Sequence, residues 1–117
     1  QAVVLSDGTL SETEFDLALA QQLRAAGPWG QHFPEPLFDG EFKLVQQRIV
    51  GEKHLKLVLA PEANDQAVID AIAFNVDLEV WPSSATTHVR AAFKLDVNEY
   101  RGRQSLQLLL DYIEPLN

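Results

Sequence analysis

The chain has 117 residues, of which 46% are hydrophobic, so it has the length of about one globular domain with a single core. The absence of cysteine excludes disulfides and thiolate metal sites, and the three histidines show no metal-ligand spacing. The formal net charge of −8 argues against a general polyanion-binding protein, and no apolar run is long enough to span a membrane. These totals predict a soluble, cytoplasmic protein.

The cations are concentrated in the second part of the chain. Residues 1–40 contain one Arg against six acidic residues, whereas residues 41–117 contain eight Lys and Arg against eleven. The cations after Gly40 could therefore gather on one face. Because the chain contains no methionine and begins at Gln1, the sequence also predicts a piece of a longer protein.

The first predicted elements are a short strand, Ala2–Leu5, and a helix that begins after Ser11. Ser11 and Glu14 have the spacing of a capping box, and Gly27 followed by Pro28 marks the helix end. One strand and one helix cannot form a core alone. This segment is therefore predicted to pack on the rest of the chain or on something missing, as the remnant of an upstream α/β domain.

The segment "GPWGQHFPEPLFDG", residues 27–40, holds three of the six prolines and three of the six glycines. Prolines at this density stiffen a chain, so the segment is predicted to be a rigid connector between domains. Trp29 and Phe33 within it are predicted to pack at the domain interface.

After Gly40 the pattern alternates between apolar and polar residues, as in β-strands. Five strands are predicted, in the sequences "FKLVQQRIV", "HLKLVLA", "AVIDAIAF", "HVRAAFKLD" and "SLQLLLDYI". Five short strands in residues 41–117 suit a small closed barrel better than a sandwich. The fold class is therefore mainly β, with a five-stranded OB-fold barrel as the prediction and an SH3-like barrel as the alternative. Trp81 is predicted to plug one end of the barrel.

An OB-fold binds ligands on the outward face of strands two and three, between the loops that join strands one to two and four to five. Here those loops are "GEK" and "VNEYRGRQ". The predicted nucleic-acid-binding residues are Arg48, Lys53, His54, Lys56, Lys94, Tyr100, Arg101 and Arg103. The structural alternative is that these cations only solvate a sheet face and that the two arginines pair with Glu99 or Asp96.

Catalytic chemistry has no support in the sequence. There is no phosphate-binding glycine loop, nucleophile elbow or HExxH motif, and no dense carboxylate cluster for a metal. Asp70, Asp96, Asp111 and Glu114 are predicted to be solvated strand ends or turn caps. The sequence therefore indicates a binding module with no catalytic residue and no metal site.

Four ordered motifs, "GPWGQHFPEPLFDGEF", "QQRIVGEKHLKL", "DAIAFN" and "LDVNEYRGRQSLQLL", resemble the C-terminal region of the RecJ family, bacterial single-stranded-DNA-specific exonucleases of the DHH superfamily. The resemblance implies that residues 1–26 end the DHH-associated domain, that residues 27–40 connect the domains and that residues 41–117 form an OB-fold. It also implies DNA contact by the "QQR", "KHLK" and "NEYRGR" segments.

The motifs that bind the catalytic manganese or magnesium ions in this family are absent from the sequence. We therefore expect no cofactor in this fragment and no nuclease activity from it alone. Two hypotheses follow from the resemblance. The module holds single-stranded DNA for catalytic domains of the same polypeptide, or it recruits single-stranded-DNA-binding protein through that protein's acidic tail.

Overall fold

The computed structural model describes residues 16–27, 34–61 and 67–116. Their elements are α1 (Leu17–Ala26), β1 (Phe38–Val50), β2 (His54–Pro61), β3 (Ile69–Ala73), β4 (His88–Tyr100) and β5 (Arg103–Leu116). The predicted strand Ala2–Leu5, the Ser11 and Glu14 capping pair, Trp29 and Phe33 all lie outside the described residues. The assignment of residues 1–26 to an upstream domain stays a prediction.

The strands close into a barrel in the order β1-β2-β3-β5-β4, and β1 pairs with both β2 and β4. All neighbouring strands are antiparallel except β3 and β5, which run parallel. A five-stranded closed barrel with this order confirms the predicted OB-fold, and the SH3-like alternative is not observed.

The barrel core comes from the alternation seen in the sequence. Leu55, Leu57 and Leu59 point inward from β2, and every second residue of β4 from Val89 to Val97 is buried. In the centre, the Phe42 and Phe93 rings meet edge to face with 5.6 Å between their centroids. The alternation of apolar and polar residues predicted for these two strands is confirmed.

Strand β1 begins earlier than predicted. The sequence "PLFDG" resembles a connector because it contains Pro and Gly, yet Phe38 pairs with Phe93 and Gly40 with Ala91. Near the middle of β1 the register shifts between Leu44 and Gln46, so that Val45 points to solvent. This bulge lies within the part of β1 that pairs with β2, residues 42–50, just after residues 38–43, which pair with β4.

The predicted loop "VNEYRGRQ" is a second difference. Strand β4 continues to Tyr100 and β5 begins at Arg103, so the connection is a two-residue turn made by Arg101 and Gly102. Polar residues and a glycine suggested a loop, but their side chains are compatible with a solvent-facing hairpin. Strand β3 is shorter than predicted, Ile69–Ala73 against residues 67–74.

Helix α1 covers the barrel end at which β2 finishes and β5 starts. Asp16 has extended backbone angles, and its carboxylate accepts the N–H of Leu19 at 2.7 Å, so Asp16 is the N-cap. The helix therefore begins at Leu17 and not directly after Ser11 as predicted, whereas its end at Gly27 agrees with the prediction. Ala20 is buried within the barrel core.

The connection between β3 and β4 covers the opposite end. Trp81 is only 4% exposed and belongs to the core, which confirms its predicted place. Its backbone N–H donates to the Asp77 carbonyl at 2.9 Å, and the Gln47 amide on β1 bonds both the carbonyl and the N–H of Ser83. These hydrogen bonds fix the connection against the barrel.

A buried and an exposed phenylalanine can be compared to test the described core. Phe93 is 0% exposed and Phe74 is 56% exposed. Phe93→Ala removes a ring from a closed core and is expected to lower the free energy of unfolding by about 3–5 kcal/mol. Phe74→Ala is expected to cost less than about 1 kcal/mol. Urea unfolding of both variants checks this, and equal losses would contradict the described core.

Candidate nucleic-acid interface

The predicted binding residues lie in three places: at each of the two ends of the barrel and on the sheet surface between them. Strands β1 and β2 join beside the connection that holds Trp81, and this end contains Lys53 and His54. Strands β4 and β5 join at the end covered by α1, and this end contains Tyr100, Arg101 and Arg103. The outer sheet surface between the ends contains the remaining three predicted cations, Arg48, Lys56 and Lys94.

The β4–β5 turn, Tyr100–Arg103, is called the hairpin tip below. Arg101 (φ 51°) and Gly102 (φ 76°) both have left-handed backbone conformations. Two consecutive positive φ angles are the signature of a type I′ turn, which matches the natural twist of a hairpin. The tip is therefore a compact, defined turn.

The tip exposes an aromatic ring beside two guanidinium groups. Tyr100 is 65% exposed, and the Arg101 guanidinium carbon lies 5.1 Å from the centre of its ring. Tyr100 and Arg103 are direct cross-strand partners, so their side chains share one face of the hairpin. An exposed ring between two cations can stack on a base while the cations contact phosphates.

The acids next to the tip do not neutralise it. Glu99 pairs with Gln104 in the register, and adjacent pairs point to opposite faces of a hairpin. The Glu99 carboxylate accepts a hydrogen bond from the Gln104 amide at 3.2 Å. Within the described part of the chain, neither Arg101 nor Arg103 forms an ion pair with Glu99 or Asp96. This geometry does not support the alternative in which those acids pair with the arginines.

On the outer sheet surface, Arg48 of β1 lies directly opposite Lys56 of β2. We call these two residues the sheet pair. Like charges directly opposite each other destabilise a sheet, and no described acid forms an ion pair with either one. They border a groove of about 400 Å³ that Gln46, Val58 and Asp70 also line. The sheet pair is thus a second place where an anion would relieve repulsion.

The cations of β4 have a different environment. Arg90 has a glutamate as cross-strand partner on each side, Glu41 and Glu114. The Glu41 carboxylate accepts a hydrogen bond from Arg90 at 2.6 Å, and this bond, together with the charge of Glu41, raises the pKa of the Arg90 guanidinium. Lys94 lies 3.6 Å from the Asp111 carboxylate. The charge of Lys94 is therefore partly neutralised by Asp111, whereas the charges of the sheet pair are not neutralised by an ion pair with a described acid.

His54 and Lys53 connect the β1–β2 turn to the barrel end. The His54 Nδ1 atom accepts the N–H of Asn75 at 3.1 Å, and the imidazole meets the Phe74 ring edge to face at 5.2 Å. The Lys53 carbonyl accepts the N–H of Val76 at 2.9 Å. These contacts give His54 a structural role, while the Lys53 side chain is exposed. DNA contact by either residue stays a prediction.

Sequence reasoning missed two features of the surface. Gln104 bonds both Glu99 and, across 83 residues, Gln21 of α1. Phe74, Leu78 and Val80 are exposed, and Phe74 contacts His54 at the start of β2. No pattern in the sequence indicates the amide pair, because its two members lie on elements whose contact depends on the tertiary fold.

Neither a metal cluster nor a membrane helix is found among residues 16–27, 34–61 and 67–116. No group of three His, Cys, Asp or Glu side chains lies close enough to hold an ion. No helix in these ranges is both long and apolar enough to cross a bilayer. The expectation that the fragment needs no cofactor stays a prediction.

The model of the RecJ OB domain family matches residues 6–112. This chain belongs to the RecJ OB domain family. It is 53% identical over 116 residues to the single-stranded-DNA-specific exonuclease RecJ of Escherichia coli K12, and 47% identical over 119 residues to that of Haemophilus influenzae. These alignments cover 99% and 100% of the chain but 20% of each relative, so the chain spans about a fifth of their length.

The RecJ fold is also seen in a solved structure. RecJ from Thermus thermophilus in complex with Mn²⁺ superposes with a TM-score of 0.72, covering 97% of this chain and 16% of that one, at 20% sequence identity. The family resemblance drawn from the four sequence motifs is confirmed, and so is the OB-fold.

The left-handed backbone conformation at the hairpin tip can be tested by matched glycine substitutions. A Cβ at Gly102 has no atom within 4 Å, so Gly102→Ala tests backbone conformation alone and is expected to lower stability by about 1–2 kcal/mol. Gly40→Ala should not lower it, because the nearest atoms that its Cβ would meet belong to the Phe42 and Phe93 rings, at 3.4 Å or more. Arg101→Asn should be neutral or stabilising, because Asn-Gly favours type I′ turns. Thermal unfolding measures all three.

Proposed function

We propose that this RecJ OB domain binds single-stranded DNA in the cytoplasm and holds the strand for catalytic domains of the same polypeptide. The relatives that match it carry the name single-stranded-DNA-specific exonuclease, and the chain spans about a fifth of their length. A domain of this size inside a nuclease can act on the substrate by holding it. The fold supports this role because OB-folds commonly bind oligonucleotides.

The observation that carries the proposal is the hairpin tip. Tyr100 is a large exposed hydrophobic side chain, and two arginines without ion pairs among the described residues flank its ring. Stacking of one base on an exposed aromatic ring contributes about 1–3 kcal/mol. Each arginine that replaces a phosphate counterion steepens the salt dependence by roughly one unit. The sheet pair supplies a second phosphate contact.

The net charge sets the expected strength of binding. At −8 the chain repels a polyanion at long range, so only the local cations favour contact. Binding by this chain alone is therefore weak, salt-sensitive and concentrated at the tip. In the longer protein the same contacts add to those of the catalytic domains through a high effective concentration.

The test compares each tip residue with a matched surface residue. Arg103→Gln and Arg90→Gln both remove one positive charge, and Tyr100→Ala and Phe74→Ala both remove an exposed ring. Loss of the Tyr100 ring should weaken binding of labelled oligothymidylate about 5- to 100-fold. Arg103→Gln should reduce the salt slope by roughly one unit. The two control variants should retain the affinity and salt slope of the parent.

Circular dichroism on all four variants establishes that each is folded. If the tip variants and their controls bind alike, the hairpin tip is not the DNA contact. The sheet pair is examined in the same assay with Lys56→Gln. A loss confined to Lys56→Gln would place DNA on the sheet surface instead.

We propose that the catalytic domains of the longer polypeptide, and not this OB domain, hydrolyse the DNA. Manganese or magnesium is proposed as the metal of the whole enzyme, and the described residues offer no group of ligands that fits such an ion. The chain alone is therefore expected to leave a 5′-labelled single strand intact with either metal added. Cleavage that co-purifies with the chain through two different chromatographic steps would contradict this assignment.

A second candidate function is protein docking, through the acidic tail of single-stranded-DNA-binding protein. Phe74, Leu78 and Val80 are exposed, and the Phe74 ring contacts His54, the chain neighbour of the cation Lys53. Such surfaces suit a peptide with apolar residues and carboxylates. Titration of a peptide with the tail sequence separates the two functions, since docking requires binding that Phe74→Ala weakens and Tyr100→Ala does not.

A further inference from the structure

The hairpin tip stands on a part of the β4–β5 ribbon that the rest of the barrel does not pair. Strand β1 bonds β4 only up to Phe93, and β3 bonds β5 only from Gln107 onward. Residues 97–106, called the overhang below, therefore form two strands that no third strand of the described residues joins. An isolated two-stranded hairpin is marginally stable in water. The overhang needs another element to define its position.

Helix α1 supplies that element. It packs against β4 and β5, and Val97 and Leu106 at the base of the overhang belong to or pack on the same core as Ala20. At the middle of the overhang the Gln21 Nε2 atom donates to Gln104 Oε1 at 2.6 Å, and Gln104 Nε2 donates to Glu99 at 3.2 Å. One side chain of the helix is thus bonded through Gln104 to both strands.

The faces of the overhang are divided between these roles. Glu99 and Gln104 form one cross-strand pair, which faces α1, whereas Tyr100 and Arg103 form the next pair and face away. The amide chain fixes the ribbon from the side that the tip residues do not use. It leaves the ring and guanidinium groups accessible.

We propose that Gln21 and Gln104 are positioning residues for DNA binding at the hairpin tip. Their hydrogen bonds hold the overhang against α1, so the ring and the two arginines are presented in one orientation before a strand arrives. This inference rests on the proposed function and adds α1 to it. Ordering the tip in advance removes part of the entropy loss of binding.

A purely structural role would have a different signature. Gln21 and Gln104 are both exposed, and one exposed hydrogen bond contributes little to global stability. Loss of the bond should therefore change the motion and affinity of the tip while thermal unfolding stays close to the parent. Loss of the bond should weaken DNA binding in the chain that has the tip side chains, and it should have no effect in a chain that lacks them.

The helix provides its own control. Gln22 adjoins Gln21, and its side chain is also exposed and has no hydrogen bond among the described residues. Gln21→Ala, Gln22→Ala and Gln104→Ala are compared in the 117-residue chain, and Gln21→Ala is also combined with Tyr100→Ala, Arg101→Gln and Arg103→Gln. The measurements are oligothymidylate affinity, thermal unfolding and NMR order parameters of the backbone amides in residues 100–103 without DNA.

Gln21→Ala and Gln104→Ala should each weaken binding about two- to tenfold and lower the order parameters at the tip. Gln22→Ala should do neither. In the background without the tip side chains, Gln21→Ala should have no further effect, because positioning acts through them.

Two failures are distinguishable. If Tyr100→Ala and Arg103→Gln leave binding unchanged, the proposed function at the tip is wrong, whatever the glutamines do. If those variants weaken binding but Gln21→Ala matches Gln22→Ala, or still weakens binding without the tip side chains, the positioning inference is overturned and the proposed function stands.

Discussion

The pairing of one strand with two neighbours is the constraint on which the rest of the molecule depends. Residues 38–43 of β1 bond β4, residues 42–50 bond β2, and the bulge at Val45 lies within the part that bonds β2. A bulge bends and twists the strand that contains it. That bend closes five strands around the Phe42 and Phe93 contact. The register of the strand pairs then determines which outward residues are neighbours on the surface.

The register also explains how an acidic chain can carry cationic sites. Arg90 has acids as neighbours on both flanking strands, and Lys94 has Asp111 nearby. In the sheet pair, Arg48 lies opposite the like charge of Lys56. At the tip, Arg103 lies opposite Tyr100, which has no charge. Because screening by salt limits charge effects to about 8–10 Å, the local arrangement matters more at these points than the total of −8.

The sequence was sufficient for the parts of the fold that obey a short period. The alternation of Leu55, Leu57 and Leu59 identified β2 and its inward face, and the number of such segments indicated the barrel. Composition was misleading where polar residues and glycine occur within strands. Residues 38–40 and 97–104 both looked like connections, although one begins β1 and the other forms most of the hairpin overhang.

The candidate site divides in the same way. The aromatic and cationic residues of the tip were identified because a loop between strands four and five is a known ligand position in this fold. The bond between Gln21 and Gln104 was not predictable, since amides at the surface occur everywhere and only the packing of α1 brings these two together. The same limit applied to the helix start, where Asp16 caps the helix in the folded chain.

The connectivity of the barrel has a consequence for how the chain folds. The β1–β2 and β4–β5 hairpins have short turns and can form early, because little chain entropy is lost in closing them. Closure requires Phe38 to find Phe93 and β3 to align with β5, which are contacts between distant parts of the chain. Such non-local topologies fold slowly compared with helical proteins. The hairpin that bears the tip can thus form its turn before the barrel closes, whereas its orientation depends on the contacts between α1 and the closed barrel.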